Sequence, residues 1–238
     1  MNSSLPSTKI LGIKITTASK SDILEFISNC IQKKKEKIQI VTPNPEILVY
    51  ATRSSSFRDI LNSAQVSLPD GIGVLLADKM TRKAIKARIT GTDMVDDLCC
   101  LASERAFTVG FIGGSRGVAE KASECLREKY SDLIVAYTGE ELDLASIKKH
   151  IDILFVAFGA PKQEEWIANN LADLPVTVAM GVGGALDYIS GKVPRAPKLA
   201  RSMGMEWAYR LVRQPWRIKR QLALPQFVYL VFKEKAKQ

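Results

Sequence analysis

The chain has 238 residues, of which 46% are hydrophobic and 25% charged, a composition that is ordinary for a globular protein. This length can hold one α/β domain with a substantial core and an additional segment. No apolar run approaches the roughly 20 residues of a membrane-spanning helix, and residues 1–7 are polar rather than signal-like, so we expect a cytoplasmic protein. The four cysteines show no CxxC spacing, which favours reduced thiols over a disulfide framework.

The positive charge is concentrated at the carboxyl-terminal end. The net charge of the chain is +9. Residues 192–238 carry 12 Lys and Arg against two Glu, a net charge of +10, whereas residues 1–191 carry 22 Lys and Arg against 23 Asp and Glu, a net charge of −1. We therefore predict a core over 1–191 and a basic appendage over 192–238. Such an appendage needs an anionic partner, which is ligand phosphate, nucleic acid or an anionic membrane.

In chain order, the hydrophobic pattern predicts alternating strands and helices. A hairpin at 9–16 with its bend at Gly12 precedes an amphipathic helix at 19–34, and a further helix begins near Pro45. Strands are predicted at 38–41, 66–68, 107–112, 133–136, 153–158 and 176–180, and helices at 92–105 and from 117 to 130. This order predicts an α/β fold with a doubly wound, mainly parallel, Rossmann-like sheet. After Gly191 only helices are predicted, at 204–213, 215–223 and 225–235.

Two of these strands lead through small residues into a helix. Glycine, alanine and proline at 159–161 follow the first strand, and the glycine-rich segment 181–184 follows the second. If the two strands are adjacent and parallel, both turns lie at one edge of the sheet. Unpaired N–H groups and positive helix-dipole ends there favour a phosphate or another anion. We expect the functional site at this edge.

Asp70 directly follows a predicted strand and precedes Gly71. It is either a helix cap or turn residue or, with about equal weight, a carboxylate placed to accept a proton from an incoming hydroxyl. Thr42 and Asn44 end the neighbouring strand in the same way, and by themselves they indicate only loop capping.

The GGSRG segment at 113–117 resembles a phosphate-binding turn but matches neither GxGxxG nor a Walker P-loop. A tight strand-to-helix turn without a ligand explains it equally well. A Rossmann-type oxidoreductase is therefore one alternative, weakened by the missing spacing and by the lack of a suitable acidic residue after the next strand. Gln163 and Glu164 are compatible with a role in starting a helix, and Asp187 with local capping.

Metal chemistry finds little support in the sequence. His150 is the only histidine and no cysteine cluster exists, so a zinc site is improbable. An Asp-x-Asp pair, with which many sugar transferases hold a divalent metal, is also absent. We expect no metal and no other cofactor. If a diphosphate binds, backbone N–H groups and arginines must stabilise it.

The appendage combines arginines with apolar residues. Arg210, Arg213, Arg217 and Arg220 recur at intervals of three and four, and an apolar run follows at 227–232. One interpretation is core packing of a terminal helix. The other is an interfacial element on anionic lipid. The positive charge would suit nucleic acid, but the sequence contains no nucleic-acid-binding motif, so we expect no nucleic-acid partner. A non-catalytic docking module is the second alternative function.

Eight motifs in this order resemble one known family, the WecG/TagA/CpsF glycosyltransferases. Singly they are ordinary, but jointly they are specific and cover most of the chain. They are VTPNPE at 41–46, LPDGIG at 68–73, RITGTD at 88–93, GFIGG at 110–114, GAPKQE at 159–164, GVGGALDYISG at 181–191, RAP at 195–197 and EWAYRLVRQPWRIKR at 206–220.

The resemblance implies an inverting, metal-independent transferase. It would move N-acetylmannosamine from UDP-N-acetylmannosamine to N-acetylglucosamine on undecaprenyl diphosphate, the step that builds the teichoic-acid linkage unit. Other branches of the family use the uronic acid form of the donor, or build capsule and exopolysaccharide. An enzyme acting on such a lipid is expected at the inner face of the plasma membrane as a peripheral protein. Whether it forms a homo-oligomer stays open.

The resemblance also implies roles for individual residues. Asp70 would be the general base, with Thr42 and Asn44 beside the reacting sugar. Donor-binding residues would be Gly113, Gly114, Gly159, Pro161, Lys162, Gln163, Gly181, Gly183 and Asp187. Lipid-diphosphate-binding residues would be Arg88, Arg195, Arg210, Arg217 and Arg220, although the motif assigns no specific role to Arg88.

Overall fold

A six-stranded parallel sheet forms the centre of the computed structural model, which describes residues 4–33, 36–81, 84–143, 147, 149–215, 218 and 222–236. The strand order is β4-β3-β8-β7-β5-β6, and a separate antiparallel hairpin, β1-β2, lies outside this sheet. The strands are β1 (Ser7–Ile10), β2 (Ile13–Thr16), β3 (Ile38–Val41), β4 (Val66–Ser67), β5 (Thr108–Gly113), β6 (Ile134–Gly139), β7 (Ile151–Ala157) and β8 (Val176–Gly181).

Helices cover both faces of the sheet, which makes the fold doubly wound. Those before the appendage are α1 (Lys20–Lys33), α2 (Pro45–Ala51), α3 (Ser55–Ser63), α4 (Ile72–Thr81), α5 (Gly91–Arg105), α6 (Val118–Lys129), α7 (Lys162–Asn170) and α8 (Ala185–Ile189). The described helices of the appendage are α9 (Lys198–Ser202), α10 (Glu206–Arg213) and α11 (Ala223–Lys235).

The continuous apolar runs are explained by burial on both faces of the sheet. In β7, Ile153 and Phe155 belong to the hydrophobic cluster of one face, whereas Leu154 and Val156 belong to that of the other. All six residues of β8 are buried. Strands covered on both sides need no polar alternation. The prediction that these two strands pair in parallel is confirmed, with Phe155 opposite Met180.

The predicted hairpin and the six core strands are all present, with bounds shifted by no more than three residues. Three helices, α3, α4 and α9, were not predicted. The sequence of α4 is apolar on most of its circumference, so it carries only a weak amphipathic signal. The helix predicted at 215–223 falls largely on residues outside the described part of the chain and stays a prediction.

The appendage is attached to the core through one side of α11. Phe227 and Val231 are one helical turn apart and are buried in a cluster with Leu48 of α2 and Val74 of α4. No residue of α9 or α10 is buried. In the described part of the chain, no helix combines the length and apolar character needed to cross a membrane. The division at residue 191 remains a prediction, and α11 shows where the two parts meet.

Candidate active site

A cavity of about 510 Å³ opens at the carboxyl ends of β3, β4, β7 and β8. The residues that follow these four strands form its floor, among them Thr42, Asp70, Gly159 and Val182. Helices α4, α10 and α11 supply its walls. The cavity therefore lies at the sheet edge where the sequence analysis expects the functional site, but one side of it is built by the appendage.

Backbone hydrogen bonds hold three segments of the cavity floor together. The Leu68 amide donates to the Val41 carbonyl at 2.8 Å, and the Asp70 amide donates to the Pro43 carbonyl at 3.2 Å. The Ile89 amide donates to the Pro69 carbonyl, also at 3.2 Å. The loops after β3 and β4 and the segment before α5 thus form one continuous surface. Asp70 is in the middle of it.

Asp70 has the electrostatic character of a base that works near neutral pH. Burial raises the pKa of its carboxyl group from 3.8 to about 7, because the charged form loses hydration. The Arg88 guanidinium and a hydrogen bond from the Gly91 backbone oppose this rise, whereas the carboxylates of Glu206 and Asp93 add to it. A carboxyl group with this pKa is ionised in about half of the molecules at pH 7 and can accept a proton.

Thr42 and Asn44 flank this carboxyl group at the end of β3, and each has a structural contact. The Asn44 side-chain oxygen accepts the Ile47 amide at 3.0 Å and so caps α2. The Thr42 hydroxyl lies 3.4 Å from the carbonyl oxygen of Gly181, to which it donates. Both residues line the cavity. The capping interpretation of Asn44 is therefore confirmed, and the residue shares the cavity lining with Asp70.

Gln163 joins the two glycine-containing turns of the floor. Its Oε1 accepts the backbone amides of Gly159 at 3.1 Å and Gly183 at 2.8 Å. Two N–H groups at this edge are therefore satisfied by protein, which contradicts our expectation that they remain unpaired for an anion. Gly181 does not line the cavity; a Cβ there would lie 2.8 Å from Gln163 Nε2, so the glycine makes room for this side chain.

Some of the predicted arginines line the cavity, whereas Arg195 forms ion pairs outside it. Arg210 lines the cavity with its guanidinium over the Tyr188 ring, 4.9 Å from the centroid, and against Gly184. Arg88 also lines it and donates to the Arg201 carbonyl at 2.8 Å. Arg195 does not line it. Instead, Arg195 pairs with Asp93 at 2.7 Å and Glu206 at 3.5 Å, and so ties α5 to α10.

Eight of the predicted site residues line one cavity: Thr42, Asn44, Asp70, Arg88, Gly159, Gln163, Gly183 and Arg210. Seven others lie outside its lining: Gly113, Gly114, Pro161, Lys162, Gly181, Asp187 and Arg195. Arg217 and Arg220 lie outside the described residues. The substrate contacts predicted for all of them stay predictions.

The glycines of the GGSRG segment have a packing role. A Cβ on Gly113 would lie 2.9 Å from the Ala157 carbonyl carbon, and one on Gly114 would lie 2.9 Å from a Val118 methyl group. The Gly114 amide donates to the Ala157 carbonyl at 3.0 Å. This segment is a tight turn that packs on β7, which is the interpretation without a ligand.

Several cavity residues were missed by sequence analysis. They are Tyr188, Glu206 and Trp207, the α4 side chains Leu76 and Met80, and the α11 side chains Leu224, Phe227 and Val231. Glu206 and Trp207 belong to the EWAYR motif, which was a usable signal. The α4 and α11 side chains gave none, because an apolar residue facing a ligand has the same pattern as one facing the core.

No group of three or more His, Cys, Asp or Glu side chains that could hold a metal ion occurs among the described residues. Of the acidic residues that line the cavity, Glu206 pairs with Arg195 at 3.5 Å and Asp70 accepts a hydrogen bond from the Gly91 backbone.

Comparison with known proteins agrees with this geometry. Residues 8–238 match the model of the Glycosyl transferase WecG/TagA/CpsF family. A Bacillus subtilis (strain 168) protein named N-acetylglucosaminyldiphosphoundecaprenol N-acetyl-beta-D-mannosaminyltransferase is 32% identical over 232 residues, which is 94% of this chain and 91% of the relative. A Staphylococcus aureus (strain MW2) protein of the same name is 32% identical over 236 residues, 96% of this chain and 93% of the relative. The chain therefore belongs to the WecG/TagA/CpsF family of glycosyltransferases.

Proposed function

We propose that this enzyme transfers N-acetylmannosamine from UDP-N-acetylmannosamine to N-acetylglucosamine on undecaprenyl diphosphate, without a metal ion and with inversion at the anomeric carbon. The observation that carries the proposal is Asp70, a carboxyl group with a pKa of about 7 on the floor of a cavity that also presents two arginines and an apolar wall. The names of the relatives supply the acceptor and the transferred sugar.

The proposed reaction is a single displacement. The acceptor hydroxyl attacks the anomeric carbon of the donor, the bond from that carbon to the UDP oxygen breaks, and the hydroxyl proton passes to Asp70. Attack opposite the leaving group inverts the configuration, and no covalent enzyme intermediate forms. One base suffices for this reaction, provided that the diphosphate leaving group is stabilised.

Arginines are the groups proposed to stabilise the diphosphates. Arg210 and Arg88 face the cavity, and a guanidinium group can donate two parallel hydrogen bonds to phosphate oxygens. Two floor N–H groups are already bound by Gln163, so the side chains must provide more of this stabilisation than the backbone does. The apolar side chains of α11 form the wall that we assign to the lipid end of the acceptor.

The acceptor also suggests where the enzyme works. An undecaprenyl lipid stays in the membrane, so we propose a peripheral protein on the cytoplasmic face of the plasma membrane. Leu199 of α9, Met203 directly after α9 and Val212 of α10 are exposed next to basic residues of the appendage. Apolar side chains among Lys and Arg favour an anionic lipid surface.

The test is a transfer assay with purified enzyme, a prenyl-diphosphate-linked N-acetylglucosamine acceptor and a set of UDP-sugars. We expect β-linked disaccharide with UDP-N-acetylmannosamine, at an unchanged rate after EDTA treatment. Preference for the uronic acid donor would assign the enzyme to another branch of the family. Loss of turnover with EDTA and recovery with a divalent ion would refute metal independence. NADH, tested for binding in parallel, should not stabilise the protein.

A further inference from the structure

Behind the cavity floor, two neighbouring side chains of α7 form a buried polar pair. Gln163 is 2% exposed and Glu164 is 0% exposed. The Gln163 Nε2 donates to the Glu164 Oε1 at 2.8 Å, while its Oε1 accepts the two glycine amides of the floor. The Glu164 backbone carbonyl accepts a hydrogen bond at 3.0 Å from Gln39 of β3. The pair thus connects α7 with β3 and with the turns after β7 and β8.

The orientation of the Gln163 amide group is decided by its neighbours, because its oxygen and nitrogen have almost the same shape. In the observed orientation the oxygen faces two N–H donors and the nitrogen faces a carboxyl oxygen. After a flip, the NH₂ group would face two donors and the oxygen would face a carboxyl acceptor, so three hydrogen bonds would be lost. Glu164 contributes the only side-chain acceptor that the described residues offer to this NH₂ group.

A carboxyl group at position 164 lowers the stability of the fold. Its Oε2 is buried and has no hydrogen-bond partner among the described residues. Burial raises the pKa of its carboxyl group to about 7, because the ionised form is desolvated. A buried polar atom without a partner costs stability, whereas an apolar side chain here would not. Fold stability alone gives no reason for a carboxyl group at this point.

We infer that Glu164 is a positioning residue of the transfer site: by accepting the Gln163 amide it holds the Gly159 and Gly183 turns at the spacing that the donor requires. Both glycines line the cavity, so a loosened Gln163 would move the surface that contacts substrate. The inference rests on the proposed function of this cavity, but the geometric part does not depend on which sugar is transferred.

Four variants, the single variant Gln163→Glu among them, and one control test it. Glu164→Leu removes the acceptor, and Glu164→Gln keeps an acceptor oxygen while removing the charge. In the double variant Gln163→Glu/Glu164→Gln the donor and acceptor exchange places, so both glycine amides and the pair itself can again be satisfied. Glu165→Gln, the next residue on α7 and only partly buried, is the matched control. Each variant is measured by amide hydrogen exchange at Gly159 and Gly183 and by steady-state kinetics with UDP-N-acetylmannosamine.

For Glu164→Leu we expect exchange at both glycines to accelerate by about tenfold, the effect of losing one hydrogen bond of ordinary net strength. The KM for the donor should rise about tenfold with a smaller change in kcat, since the turns bind rather than react. Glu164→Gln and the control should stay within about threefold of the wild type in exchange. The single variant Gln163→Glu should accelerate exchange, and the double variant should reverse that change.

A merely structural role would lower the melting temperature and leave donor KM and local exchange unchanged, and that result would overturn the inference. Should Glu164→Leu fail to fold, the comparison of Gln163→Glu with the double variant Gln163→Glu/Glu164→Gln decides. Equal rates of amide hydrogen exchange at both glycines in these two variants would mean that the inference fails. Failure of the proposed function would look different, because the wild-type enzyme itself would then transfer no sugar in the kinetic assay.

Discussion

The core and the appendage build the same cavity by different physical means. The core, with a net charge of −1, holds its part through strands buried on both faces and through backbone hydrogen bonds between loops. The appendage, with a net charge of +10, has no buried residue in α9 or α10. It is held to the core by the buried Phe227 and Val231 of α11 and by polar contacts such as the Arg195–Asp93 ion pair. The core carries the carboxyl group proposed as the base together with Arg88, and the appendage carries Arg210 and the apolar side chains of α11. We therefore expect loss of the Asp70 carboxyl group in the core to lower kcat, and appendage variants to change KM or stability.

The largest effect is expected from Asp70→Asn, which removes the base and keeps the shape of the side chain. Loss of general base catalysis should lower kcat by about 10²–10⁴-fold while UDP binding persists. Transfer assays and calorimetric titration with UDP measure the two quantities. Asp173→Asn, at an exposed position far along the chain, is the control. Wild-type turnover by Asp70→Asn would remove this residue from the mechanism.

The anchor of the appendage gives the next largest effect. Phe227 is 3% exposed and Phe232 is 55% exposed, although both lie on α11. Phe227→Ala should lower the free energy of unfolding by about 3–5 kcal/mol, as large-to-small substitutions in a core do. Phe232→Ala should change it by less than about 0.5 kcal/mol. Urea denaturation of the two variants compares them directly, and equal stabilities would mean that α11 is not docked as described.

Arg210 and Arg213 lie on the same helix, α10, but only Arg210 lines the cavity. Arg210 lines the cavity over Tyr188, whereas Arg213 is exposed and stacks on Tyr209 with 5.6 Å to the ring centroid. Arg210→Gln should raise the KM for a diphosphate substrate by about tenfold, the effect of one charge-assisted hydrogen bond. Arg213→Gln should change it by less than about twofold. Similar KM values for both variants would contradict the placement of α10 over the site.

The pH dependence of turnover offers a finer test of the core side of the cavity. Because Asp70 must be ionised to accept a proton, kcat/KM should rise with pH to a plateau, with a midpoint near its pKa of about 7. Arg88→Gln removes a positive charge that lowers this pKa and should move the midpoint to higher pH. Glu206→Gln removes a negative charge that raises it and should move the midpoint to lower pH. Shifts of the same sign in both variants would refute this electrostatic account.

The same pKa of Asp70 also predicts an effect on thermal stability. The folded-state pKa of Asp70, about 7, is above the ordinary value of 3.8, so the fold favours the protonated form. Its contribution to stability is present below about pH 4 and is lost as the pH rises through 7. Asp70→Asn should therefore melt at a higher temperature than the wild type at pH 8, and the difference should vanish towards pH 4. Glu164 titrates in both proteins, so its contribution to the pH dependence of the melting temperature cancels in the comparison. A lower melting temperature of the variant at pH 8 would contradict the assigned pKa.

The position of the site could be predicted from the sequence to a large extent. Apolar runs without alternation identified the buried strands, and in a parallel sheet the residues after such strands meet at one edge. This argument brought Thr42, Asp70, Gly159 and Gly183 to one place without knowledge of a single contact. Local patterns suffice here because strand direction and side-chain period are set by the backbone itself.

Only the tertiary structure decided which of several equivalent residues faces the cavity. Arg195 and Arg210 are both basic residues of the appendage, yet one pairs with Asp93 and the other lies over Tyr188. In the apolar run of α11, Phe227 is buried while Phe232 is exposed. The amides of Gly159 and Gly183, expected to be free, are bound by Gln163. Composition and periodicity describe neighbours along the chain, whereas these outcomes depend on contacts between residues far apart in sequence, which only the packed fold brings together.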